Sequence, residues 1–97
     1  MAGETSGGRA RRVVFSGRVQ GVGFRVTTRE IAQQFPVFGY VRNQPDGTVE
    51  IIVAGAEDDV REFIAAVTRR FEGKISSVTE MSSVINPEYD SFEIERT

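Results

Sequence analysis

The sequence predicts an α+β sandwich in the order βαββαβ, an antiparallel sheet with two helices packed on one of its faces. Three observations carry that expectation. Hydrophobic periodicity switches along the chain between the strand period of two and the helical period of roughly 3.6. The turn "QPDG" joins the two middle strand candidates directly, with no helix between them. A length of 97 residues without a cysteine is enough for one core and one domain, held by packing rather than disulfides.

The elements follow in order. Residues 1–10 are rich in Gly and Ser without periodicity, which reads as a flexible N-terminal tail before a single domain over residues 11–97. "RRVVFSGRV" reads as the first strand, with Val13, Val14 and Phe15 as its buried run. Phe24, Thr28, Ile31, Ala32 and Phe35 then recur at helical spacing until Pro36 stops the helix. "VFGYVRN" and "TVEIIVAG" form the hairpin around Pro45, Asp46 and Gly47.

A second helix opens with Glu57, Asp58 and Asp59, whose charges suit the positive end of a helix dipole. Val60, Phe63, Ile64, Val67 and Phe71 supply its apolar stripe, and Gly73 is a natural stop. "ISSVTEMSSVI" is a Ser-rich strand, and "SFEIE" places Phe92 and Ile94 inward with Glu93 and Glu95 outward. The first six of these elements give the order βαββαβ, the split βαβ, or ferredoxin-like, pattern.

Composition removes several chemistries. With neither His nor Cys there is no imidazole base, no thiol nucleophile and little prospect of holding zinc. No clustered Asp/Glu motif suggests a magnesium site, so neither a metal nor another cofactor is expected. No apolar run approaches membrane-spanning length. The first residues lack the apolar core of a secretory leader, so the cytoplasm is the expected compartment.

Net charge is −2, yet the charge is uneven. Residues 1–30 carry six arginines against Glu4 and Glu30, whereas residues 31–97 carry six basic and twelve acidic side chains. Positive charge therefore gathers around "GRVQGVGFR", residues 17–25, where Gly17, Gly21 and Gly23 run into a helix start. Such a loop presents unpaired backbone N–H groups to an anion, and Arg25 in the first helical turn makes electrostatic sense beside one. Neither the P-loop nor the dinucleotide fingerprint fits, since Phe24-Arg25 follows the last glycine and Val26 stands where a third glycine is needed. Loop chemistry alone leaves an anion site and a purely structural turn both open. Asn43, just before the hairpin turn, likewise has an ordinary reading as turn support.

Two motifs change the balance. "FSGRVQGVGFR", residues 15–25, and "GYVRNQPDGTVEIIVAG", residues 39–55, resemble the two signatures of the acylphosphatase family, with Gly39, Asn43, Gly47, Val49 and Gly55 at the family spacing. Strand and helix order extends the likeness over residues 12–96. Phe15 stands where an aliphatic residue is usual, Phe35-Pro36 replaces the customary Leu-Gly, and "EGKISSV" lacks the proline often found before the fourth strand.

The resemblance implies a hydrolase that cleaves the carboxyl–phosphate bond of an acyl phosphate to carboxylate and inorganic phosphate, without a metal. It implies that Arg25 binds the phosphoryl group together with the loop of Val19, Gln20, Gly21, Val22 and Gly23, and that Asn43 holds the attacking water. Thr48 is implied as a minor helper orienting Asn43, beside an ordinary reading as an exposed strand residue. It also implies that the first and second strands lie side by side.

The expected partners are a small acyl phosphate and inorganic phosphate as product and competitor, with no nucleic acid and no membrane, and the expected state is a monomer. Three rival readings share the fold: a non-catalytic regulatory module binding small anions, an RNA-binding domain, and a domain serving a larger carbamoyl-transfer enzyme. Tyr40 is the one evident candidate for base stacking, and the acidic balance disfavours RNA. The shortness of the chain favours a stand-alone protein over the last.

Overall fold

A computed structural model describes residues 8–96. The elements run β1 (Gly8–Gly17), α1 (Phe24–Ala32), β2 (Val37–Asn43), β3 (Val49–Gly55), α2 (Glu57–Arg70), β4 (Ile75–Ile85) and β5 (Phe92–Ile94). They build one five-stranded sheet in the order β4-β1-β3-β2-β5. β3 pairs with both β1 and β2, so β3 separates the two strands that the family resemblance set side by side.

The sheet is mixed rather than wholly antiparallel, because β5 pairs with β2 in parallel. The reason is topological. β4 ends opposite the start of β1, the end of the sheet at which β2 also begins. A strand entering the far edge from that end must run with β2. The crossing segment is held by Tyr89, whose ring lies 5.6 Å from that of Tyr40. The Tyr89 hydroxyl donates to Glu95 Oε2 at 2.6 Å, and this bond holds the phenol pKa up to about 12.

Strand alternation sorts β1 into two faces. Val13 and Phe15 are fully buried under the helices, whereas Val14 is half-buried on the opposite face, across from Glu50 and Thr79. The expected continuous run Val13–Phe15 is thus an alternation, since only one face of β1 meets the helices. β1 ends at Gly17 rather than residue 19, and Val19 enters the core from the loop instead. At the other end Gly8, Arg9 and Ala10 pair with Ile85, Val84 and Ser83, so three residues assigned to the tail belong to the sheet. Residues 1–7 lie outside the described residues.

α1 buries Phe24, Thr28 and Ala32, one residue per turn on a single stripe. α2 buries Val60, Phe63, Ile64 and Val67, with Phe71 closing its end. The phenylalanines join the layers. Phe24 stacks on Phe71 at 4.4 Å and meets Phe15 at 5.2 Å, and Phe63 meets Phe92 edge-on at 5.2 Å. Each such ring contributes about 2 kcal/mol or more through burial. That packing pins the start of α1, and with it the loop before it.

Candidate active site

The end of β1, the end of β2 and the start of β3 meet at one end of the sheet, where the loop 18–23 also runs. The loop is fastened at both sides. Arg18 N–H donates to Lys74 O at 2.8 Å, and a Cβ on Gly17 would lie 2.4 Å from that same carbonyl oxygen, so glycine there permits the close approach. The Val19 side chain is fully buried. Across the loop, Gln20 Nε2 donates to Gln44 O at 2.8 Å and to Thr48 O at 2.9 Å.

Gly21 and Gly23 adopt φ +79° and +80°. A Cβ at either would meet nothing within 4 Å, so their requirement is the left-handed backbone and not crowding. Left-handed turns of this kind let successive amides converge on an anion. Among the described residues, none of the N–H groups of Val19, Gln20, Gly21, Val22 and Gly23 donates to a protein acceptor. Gly23 is the N-cap of α1 and offers no side-chain cap.

The two helix starts contrast in charge. Glu57, Asp58 and Asp59 occupy the first turn of α2, while the first turn of α1 holds no acidic residue and carries Arg25. Arg25 is half-buried, and its side chain makes no ion pair or hydrogen bond among the described residues. A guanidinium in the first turn of a helix that opens on free amides can grip a dianionic oxygen group in a forked geometry.

Asn43 closes β2, pairs with Val49 and is partly exposed. Gln20 is hydrogen-bonded to the residue that follows it, which joins the loop to the hairpin. Thr48 does not orient Asn43 through a hydrogen bond. Its hydroxyl donates to Asp46 Oδ1 at 2.6 Å and accepts from Gln44 Nε2 at 3.0 Å. The Thr48 hydroxyl, and then the Thr48 N–H, hold the Asp46 carboxyl below its ordinary value. Thr48 therefore serves the turn, because the hairpin neck competes successfully for its hydroxyl.

Two features were missed in the sequence. One is the Gln20 side chain, whose reach to carbonyls 24 and 28 positions away leaves no local signal. The other is Glu50, buried and bonded by Arg12 and Arg42 on the face away from the helices. A lone carboxylate inside the apolar run "TVEIIVAG" was a usable signal for it. A groove of about 1130 Å³ between α2 and the far end of β1 contains none of the loop residues. Shallow backbone cradles make poor cavities, so the groove does not displace the loop as the site.

A family model described as Acylphosphatase matches residues 11–94. Among curated relatives, the acylphosphatase of Bacillus licheniformis is 38% identical over 82 residues, covering 84% of this chain and 89% of its own length. That of Archaeoglobus fulgidus is 38% identical over 85 residues, covering 88% of this chain and 96% of its own. The crystal structure of acylphosphatase from Bacillus subtilis matches with a TM-score of 0.78 at 30% identity, covering 90% of this chain and 98% of that one. Because the matched span runs from within β1 to the end of β5 and takes in both the glycine loop and the hairpin, the chain belongs to the acylphosphatase family.

Proposed function

We propose that this acylphosphatase holds the phosphoryl group of its substrate between Arg25 and the loop amides of Val19 to Gly23, and that Asn43 places the attacking water. The observation that carries the reading is the set of five amides that, among the described residues, donate to no protein acceptor and lead into a helix start with no acid and with Arg25 unpaired. The water oxygen bonds to phosphorus as the bond from phosphorus to the acyl oxygen breaks. A carboxylate leaves, and the proton passes to a phosphoryl oxygen or to solvent. A carboxylate is a good leaving group, so positioning and charge stabilisation can suffice without a strong base.

Among the described residues no group of three or more His, Cys, Asp or Glu gathers as a metal site. No described helix is long and apolar enough to cross a membrane. A small soluble acyl phosphate, a monomeric enzyme and a cytoplasmic setting complete the reading. The relatives named above are acylphosphatases, and nothing among them favours the non-catalytic module.

Benzoyl phosphate supplied to the purified protein in EDTA tests it. Ultraviolet loss with matching phosphate release is the expected result, and inorganic phosphate should inhibit competitively. Turnover that disappears in EDTA and returns with magnesium would overturn the metal-free mechanism.

A further inference from the structure

Gln20 sits inside the proposed cradle, yet its side chain turns away from it. Both hydrogens of its amide nitrogen are spent, one on Gln44 O at 2.8 Å and one on Thr48 O at 2.9 Å. Those carbonyls form the neck of the β2–β3 hairpin. Gln44 O also accepts from Gly47 N–H at 3.0 Å, and Thr48 O from Gln44 N–H at 2.8 Å, so each oxygen receives two donors. Gln20 meanwhile keeps its backbone N–H free of any protein acceptor among the described residues. A single residue thus contributes to the cradle with its backbone and clamps the hairpin with its side chain, next to Asn43.

We propose that Gln20 is a positioning residue that sets the cradle against Asn43, so that the held water lies in line with the held phosphorus. The inference rests on the reading of the site given above. Only a side chain with two donors on one nitrogen fits the two carbonyls. A carboxylate would present oxygens to oxygens, and a thioether would donate nothing. Without the clamp, the loop keeps its other anchors at Arg18, Val19 and the α1 start, so the amides and Arg25 can still hold phosphate. What is lost is the register between phosphorus and water, and a displacement near 1 Å can cost roughly 10²-fold in rate.

The test is a double-mutant cycle on the full chain, reading benzoyl phosphate kcat, inhibition by inorganic phosphate, and thermal melting. Gln20→Ala should lower kcat about 10- to 100-fold while phosphate inhibition changes less than about threefold. In the Asn43→Ala background the same change should cost less than about threefold, because a misplaced water holder and an absent one are equivalent. Gln20→Met, which keeps the length and stem, should reproduce Gln20→Ala and serves if the alanine variant melts too low to assay. Unchanged kcat in both Gln20 variants would overturn the proposal. So would a loss that persists at full size without Asn43, or one matched by an equal loss of phosphate affinity. If Asn43→Ala itself turns over at the wild-type rate, the reading of the site has failed, whatever Gln20 does.

Discussion

Arginine plays opposite parts on two sides of this small sheet. On the face away from the helices, Arg12 and Arg42 close on Glu50, with Nε–Oε distances of 2.5 and 2.6 Å. Arg42 also lies over the Tyr40 ring at 5.5 Å, and its bond to Glu50 raises the guanidinium pKa above its ordinary value. At the α1 start, Arg25 forms no ion pair among the described residues and follows a loop whose amides donate to no protein acceptor there. The first cluster satisfies itself and is finished as structure. The second leaves a charge and several donors without protein partners among the described residues, an arrangement that a ligand can complete.

Changing Arg25 should widen this contrast most. Arg25→Lys keeps the charge but loses the fork, and benzoyl phosphate kcat/KM should fall by about 10²-fold or more. Arg12→Lys, the matched change on the closed face, should leave kcat/KM within about twofold. Equal losses in the two variants would erase the distinction. Next in size, Asn43→Ala should lower kcat by about 10²-fold with phosphate inhibition near wild type. Weakened phosphate inhibition at constant kcat would move Asn43 from the water to the cradle.

The closed face should answer in stability instead. Glu50→Ala removes a buried carboxylate but leaves two arginines that can still reach water, so chemical denaturation should show a loss of about 1–2 kcal/mol. Its kcat should stay within about threefold. A variant that melts normally and loses activity would make Glu50 part of the site. The smallest effect concerns Thr28, which is fully buried on α1 with no partner for its hydroxyl among the described residues. Thr28→Val should stabilise the protein by about 1 kcal/mol, raising Tm by roughly 4–8 °C, because no buried hydroxyl is left unpaired. A lowered Tm would show that the hydroxyl has a partner after all.

Much of the fold was legible residue by residue. The span 75–85 of β4, the hairpin strands and the α2 stripe agree with the sequence pattern, because each depends on periodicity and turn chemistry within a short window. The parallel pairing of β5 was not legible, since three residues of alternation say nothing about which edge they join. Val14 misled because a run of β-branched and aromatic residues looks alike whether one face or both are covered.

At the site, the sequence alone determined the materials: glycines able to adopt a left-handed turn, an arginine in the first turn of a helix without acids, and an asparagine before a hairpin turn. Those are local properties, carried by residue type and spacing. Only the tertiary structure decided their partners. It gave Glu50 to Arg12 and Arg42, the Thr48 hydroxyl to Asp46, and the Gln20 amide to the hairpin neck, while leaving Arg25 with none among the described residues. Partnership depends on which strands adjoin and which face a side chain takes, and those follow from packing the whole chain around one core.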